Sequence, residues 1–89
     1  MARMERAEAE LAQMSSSGGQ CEALFNLGLK YSIGIDVEAD MITAHKWFNL
    51  AAISGNDRAK EYRQEISREL SSEEIIEAQK LAREWVSVN

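Results

Sequence analysis

The sequence contains no proline, one cysteine and one histidine among its 89 residues, and these scarcities exclude several classes of protein. The single Cys21 cannot form an internal disulfide, which excludes a small secreted scaffold held by bridges, and it offers no paired cysteines for zinc. No apolar run approaches the roughly 20 residues of a membrane-spanning helix, and the start, MARMERAEAE, lacks the apolar region of a signal peptide. We therefore expect a cytoplasmic protein without membrane insertion.

Basic residues are also few, because 10 lysines and arginines stand against 15 acidic residues, for a net charge of −5. The chain has no broad basic surface, so we expect no nucleic-acid partner. Valine, isoleucine and threonine are sparse and form no alternating strand pattern, whereas alanine is common. With a length that allows only one small domain, this composition predicts an all-α fold.

Apolar residues recur at helical spacing along most of the chain, which predicts five helices joined by short turns. The first covers residues 2–14 and carries an apolar stripe at intervals of three and four. The others cover about 20–32, 41–54, 57–69 and 72–86. The stripe of the first helix consists of Met4, Ala7, Leu11 and Met14.

Capping residues mark where these helices begin and end. Asp40 suits an N-cap for the third helix, Gly55 suits its left-handed C-terminal residue, and Asn56 or Asp57 can cap the fourth. Two pairs have capping-box spacing, Ser17 with Gln20 and Ser71 with Glu74, before the second and fifth helices.

An internal repeat relates parts of the chain, because Gly19 and Ala23 recur as Gly55 and Ala59 at an offset of 55 − 19 = 36 residues. A period of this size is typical of stacked helical hairpins. It divides the chain into a complete hairpin at 20–55 and two weaker flanks. Residues 1–19 are a degenerate half-repeat or a dimerisation helix with a Ser/Gly turn, and residues 56–89 are a half-repeat with a C-terminal capping helix.

The central hairpin resembles the Sel-1-like repeat, a tetratricopeptide-type helical hairpin found in short bacterial proteins. Every position of the family pattern but one is present, and at the exception Asp36 replaces a loop glycine. The tail SSEEIIEAQKLAREW also looks like the closing helix of such proteins. The matching residues are Ala23, Leu27, Gly28, Tyr31, Gly34, Val37, Asp40, Ala44, Trp47, Ala51, Ala52, Gly55 and Ala59.

The residue types in this pattern have a physical meaning of their own. Glycine and alanine allow two helices to approach closely, and the rings of Tyr31, Trp47 and Phe48 fill the wider gaps. We expect a side chain added at Gly28 to meet a neighbouring backbone. Asp36 tolerates a positive φ better than most residues, so the turn can survive there with some strain.

The resemblance implies stacked hairpins in a short α-α superhelix that binds a protein or peptide on its concave face, as a non-catalytic adaptor. The candidate contact residues belong to the first helix of each hairpin. Phe25 and Leu29 are open to two interpretations, an exposed apolar anchor or core packing under the last helix. The full set is Glu22, Phe25, Asn26, Leu29, Lys30, Arg58, Glu61, Tyr62 and Glu65.

The stripe on residues 2–14 also has two interpretations. It packs on the hairpin at 20–55 as a half-repeat, or it pairs with a second chain. The second interpretation gives the alternative function, a self-associating structural unit that forms a homodimer.

Reactive groups are scarce, so we expect no enzyme, no catalytic residues, no metal, no cofactor and no small-molecule substrate. An enzyme would depend on His45 and Cys21 alone. The spacing predicts that His45 is solvated, pointing away from the stripe of Ala44, Trp47 and Ala51, and that Cys21 is a small filler near a helix start. No phosphate-binding glycine motif is present.

Overall fold

The computed structural model describes residues 20–88, which form four α-helices and no strand. They are α1 (Gln20–Ile33), α2 (Met41–Ile53), α3 (Asp57–Ser67) and α4 (Ser72–Val88). The all-α prediction is confirmed for this part of the chain, and the bounds of these four helices agree with the predicted ones to within two residues. The helix expected at 2–14 and the cap expected from Ser17 lie outside the described residues.

Local capping sets where three of the helices begin. Asp40 Oδ1 accepts hydrogen bonds from the backbone N–H groups of Ile42 and Thr43, at 3.1 and 3.2 Å. Of the two candidates before α3 the cap is Asn56, whose Oδ1 accepts from Ala59 N–H at 2.9 Å. Before α4, Ser71 and Glu74 each accept from the backbone N–H of the other, at 3.1 and 2.8 Å. This is the predicted capping box.

Helix α2 is the centre of the fold, because it packs against each of the other three helices. Seven of its thirteen residues are buried, and Ala44, Phe48 and Ala51 are completely covered. The predicted burial of the alanines and of the rings of Tyr31, Trp47 and Phe48 is confirmed. A helix buried on nearly all sides can hold only small or apolar residues at most positions.

The contact between α1 and α2 is closest at Gly28. A Cβ placed on Gly28 would lie 2.5 Å from Cε1 and 2.6 Å from Cδ1 of Phe48, closer than side-chain atoms come in folded proteins. Close approach at this glycine was predicted, but the expected obstacle was wrong. The added atom would meet the Phe48 ring and not a neighbouring backbone, because the ring of this fully buried residue fills the space beside the glycine.

The turn between α1 and α2 uses two residues with positive φ. Gly34 has φ +87° and donates its N–H to the carbonyl of Lys30 at 2.7 Å, and Asp36 has φ +62°. The prediction that Asp36 takes a conformation suited to glycine is therefore confirmed. The left-handed region costs an ordinary L-residue about 1–2 kcal/mol and costs aspartate less.

We predict that Asp36→Gly raises the free energy of unfolding by about 0.5–1 kcal/mol, because glycine reaches this φ without steric strain and loses part of the gain through its flexible unfolded chain. Urea denaturation of the two proteins measures the difference. Asp36→Ala is the control and should lower stability, since alanine keeps the strain and cannot bond locally as aspartate does. A glycine variant less stable than the parent would contradict the prediction.

Helix α4 packs against α2 and brings the two tryptophans together. The rings of Trp47 and Trp85 meet edge to face, with centroids 5.8 Å apart and planes at 80°. Ala78 and Ala82 are the buried residues of α4, at 0% and 3% exposure. Small residues on both helices allow this approach, and the tryptophan pair fills the wider end.

Candidate functional site

Helices α1 and α3 run in the same direction, since each is antiparallel to α2. The end of α1 meets the start of α2 through a hydrogen bond from Asp40 N–H to the Tyr31 carbonyl. The end of α3 also meets the start of α2, through the hydrogen bond between Ser67 and His45. The C-terminal ends of α1 and α3 therefore lie at the same end of the domain.

A small group of side chains links α1 to α3. The rings of Phe25 and Tyr62 meet edge to face with centroids 5.3 Å apart, and the Phe48 ring of α2 lies beneath both, 5.6 and 5.2 Å away. The Arg58 guanidinium carbon lies 4.8 Å from the Phe25 ring centroid, a cation–π distance. Side chains near the start of α3 are thus fixed against the first half of α1.

The predicted contact residues fall into three groups by burial. Phe25 is only 3% exposed, so the interpretation of it as an exposed anchor is wrong, because Phe48, Tyr62 and Arg58 cover its ring. A half-buried group consists of Leu29, Lys30 and Tyr62, of which Leu29 packs partly against the core. The exposed members are Glu22, Asn26, Arg58, Glu61 and Glu65.

Two exposed residues at or just beyond the C-terminal ends of these helices were missed by the sequence analysis. Ile33, the last residue of α1, is 65% exposed, and Glu69 just beyond α3 is exposed as well. Glu22, Asn26, Leu29 and Ile33 are separated by four, three and four residues. This helical spacing already indicated that Ile33 lies on the same side of α1 as the other three. We call one set of exposed and half-buried residues the α1/α3 surface. It contains the two residues just named and the exposed and half-buried residues listed above, without Lys30: Glu22, Asn26, Leu29, Ile33, Arg58, Glu61, Tyr62, Glu65 and Glu69.

The carboxylates of the α1/α3 surface form no ion pair with other described residues. The one ion pair that the structure shows between residues 20 and 88 joins Lys60 Nζ to Asp57 Oδ1 at 3.7 Å, between two exposed side chains on the first turn of α3. Glu61, Glu65 and Glu69 are exposed and carry no ion pair within that range.

His45 is buried, and the prediction that it is solvated is wrong. Its side chain is 2% exposed and faces α3, where Nε2 lies 3.0 Å from Ser67 Oγ. The stripe of Ala44, Trp47 and Ala51 shows one buried side of α2, but α3 covers a second side that includes His45. Nearby, Arg63 donates to Asn49 Oδ1 at 2.7 Å, so a polar seam runs between α2 and α3.

The hydrogen bonds of this seam fix the tautomer of the imidazole. The Ser67 hydroxyl donates to the Arg63 carbonyl at 2.8 Å, so toward His45 it accepts, and Nε2 carries the proton. Nδ1 is buried without a hydrogen-bond partner among the described residues. Burial lowers the pKa of His45 below its ordinary 6.5, and the Arg63 guanidinium lowers it further. The histidine is thus held neutral as a bridge between helices, with the serine proton directed at a carbonyl.

The remaining candidate groups within residues 20–88 form no constellation of reactive side chains. Cys21 is a half-buried free thiol in the first turn of α1. No group of three or more His, Cys, Asp or Glu residues is placed to hold a metal ion in the described part of the chain. None of the four helices described here has the length and apolarity to span a bilayer.

Comparisons with known protein families, with curated proteins and with solved structures found no match to this chain. Its function must therefore be inferred from the geometry of its own residues.

Proposed function

We propose that this chain is a non-catalytic protein-interaction module, a short repeat protein of the Sel-1-like type that binds a partner protein or peptide on the α1/α3 surface. The observation that supports it best is the joining of α1 and α3 by the Phe25, Tyr62 and Arg58 contacts. These contacts tie the exposed sides of α1 and α3 to a buried aromatic base.

Rigidity of the base favours binding. Phe25 and Phe48 are almost completely buried, so their positions are fixed by packing, and Tyr62 is stacked on Phe48 at an interplanar angle of 23°. A surface whose shape exists before the partner arrives loses less conformational entropy on binding. Two helices nevertheless offer a small area, and we expect a transient complex at the low end of interface sizes, below about 1,200 Å².

Site-specific photo-cross-linking tests the proposal. A photoreactive amino acid replaces Asn26 on α1 or Glu61 on α3, both exposed, in the full chain expressed in its native cells. We expect both positions to capture the same partner protein, because both lie on the α1/α3 surface.

The matched control places the photoreactive residue at Gln79, which is exposed on α4. The proposal is wrong if Gln79 captures that protein as efficiently as Asn26 and Glu61 do, or if neither of these two positions captures a protein. Capture of a second copy of the chain at Asn26 would favour the homodimer instead.

A further inference from the structure

We propose that His45 is an acid-sensitive contact between α2 and α3: when the imidazole takes up a second proton, α3 leaves α2 while the other described helices stay packed. No partner takes part in this step, so it does not depend on the proposed function. Three features favour it: the hydrogen bonds of the polar seam, the small number of other contacts that hold α3, and the chain connections at the two ends of that helix.

The seam offers no acceptor for a second proton on the imidazole. Nε2 already carries a proton and donates it to Ser67 Oγ at 3.0 Å, and the Ser67 hydroxyl donates to the Arg63 carbonyl at 2.8 Å. A second proton would go to Nδ1, which is buried without a hydrogen-bond partner among the described residues. The charged imidazole would thus hold an unsatisfied N–H in a side chain that is 2% exposed. An uncompensated charge in such a place strongly destabilises the packed arrangement.

The charged groups around His45 increase this cost. Of the helices packed against α2, α3 brings the Arg63 guanidinium to His45, whereas Glu22 and Lys30 of α1 and the charged residues of α4 do not act on it. Burial lowers the pKa of His45 most and Arg63 lowers it further, and the His45 carbonyl, which favours the charged form, offsets only part of this. An imidazole in water has a pKa near 6.5, so the state without the α2–α3 contact binds the proton more readily, and acid favours that state.

Few other contacts hold α3 in place. Only two of its eleven residues, Ala59 and Ile66, are buried, and it packs mainly against α2. Elements with few buried apolar side chains open at a lower free energy than the rest of a domain. An isolated helix shorter than about 12–15 residues is marginal in water, so α3 should lose its helical structure once it leaves α2.

The chain connections allow α3 to leave by itself. Residues 56–71 join α2 to α4 and can extend to about 50 Å at roughly 3.3 Å per residue, whereas α2 is only about 20 Å long. Helices α1 and α4 each pack against α2 directly, so neither contact passes through α3. Release of α3 would uncover the Phe25 ring, because Tyr62 and Arg58, two of the three side chains over it, belong to α3.

Amide hydrogen exchange on the full chain at pH 7.5 and 5.5 tests the inference, with each rate divided by the intrinsic rate of that amide at the same pH. We expect the amides of residues 61–67 in α3 to be at least about tenfold less protected than those of residues 45–53 in α2 at both pH values, because α3 opens without the rest. Protection in α3 should fall about threefold to tenfold from pH 7.5 to 5.5. Tenfold is the limit for one proton taken up with a pKa of about 6.5.

Three variants assign this pH response to the seam. His45→Gln does not titrate and can still donate to Ser67 Oγ, so its α3 protection should differ by less than about twofold between the two pH values. Ser67→Ala removes the acceptor of the Nε2 proton and should lower α3 protection at pH 7.5 about fivefold. The matched control is Ser32→Ala, which removes a hydroxyl that donates to the Leu29 carbonyl of its own helix at 3.0 Å. This control should leave α3 protection within about twofold of the parent.

Equal protection of α2 and α3 would mean that the domain opens only as a whole, and the inference would be wrong. It would also be wrong if α3 protection did not fall with pH, or if His45→Gln kept the pH response of the parent. Should His45→Gln fail to fold, the two serine variants decide the role of the seam. Equal effects of Ser67→Ala and Ser32→Ala on α3 protection would show that the bond to His45 does not hold α3.

Discussion

Gly28→Leu is expected to leave most of the chain unfolded at 25 °C. Even the first atom of the new side chain would lie 2.5 Å from the Phe48 ring, and that ring is at 0% exposure in the central helix. The ring cannot move aside without displacing α2, which packs against every other described helix. Overpacking a core costs about 1–3 kcal/mol for modest insertions, and four carbons exceed that range. A chain of this size has roughly 4–13 kcal/mol of stability.

Urea denaturation followed by circular dichroism measures the loss. Gly28→Ala is the milder variant, for which we expect a loss of about 1–3 kcal/mol, reduced by up to about 1 kcal/mol because alanine favours the helix. Combining Gly28→Ala with Phe48→Leu should give a smaller loss than the sum of the two single variants, since the shorter side chain makes room for the methyl group. Additive losses, or a Gly28→Leu variant of near-normal stability, would show that the contact is not what requires glycine.

The second large effect is expected on acidification, through His45. Its pKa is lowered in the folded protein and returns to about 6.5 on unfolding, so the unfolded chain binds the proton more readily. The contribution of neutral His45 to stability is therefore complete above pH 6.5. It is lost as pH falls from 6.5 through the folded pKa, at up to about 1.4 kcal/mol per pH unit.

His45→Gln isolates this contribution from that of the carboxylates. Glutamine can donate its amide N–H to Ser67 Oγ from a similar position and does not titrate. We expect thermal melts between pH 7.5 and 5 to show a steeper fall in melting temperature for the parent than for the variant. Parallel curves would mean that the imidazole does not acquire a proton on unfolding, and the buried hydrogen bond to Ser67 would then have no role in acid sensitivity.

Features decided within a few residues could be predicted from the sequence. The caps at Asp40, Asn56 and Ser71 act over two or three positions, and the positive φ of Asp36 and Gly55 follows from turn chemistry. Helix bounds follow from these signals with the apolar spacing. A close approach at Gly28 was also expected, because a glycine inside an apolar helix face needs a packing reason, but its partner Phe48, 20 positions away, was not.

Features decided between distant residues could not be predicted. His45 is buried by α3 through Ser67, 22 positions away, and the apolar stripe of α2 shows only one of its covered sides. Phe25 shows the same limit, because its helical position suits either an exposed anchor or the core. Its contact with Tyr62 of α3 decides for the core. Helical spacing within α1 could have extended the predicted surface to Ile33. That α1 and α3 are parallel, so that their C-terminal ends lie at the same end of the domain, could not be predicted from this spacing.

The chain has two tryptophans, and both lie in the single edge-to-face pair between α2 and α4. Intrinsic fluorescence excited at the indole band therefore reports on the contact between the last helix and the central one, in which both indole rings take part. Far-ultraviolet circular dichroism, by contrast, averages over all the helices. Coincident transitions by the two probes would establish that the last helix and the rest of the domain melt as one cooperative unit, whereas an earlier fluorescence change would identify α4 as a separately opening segment.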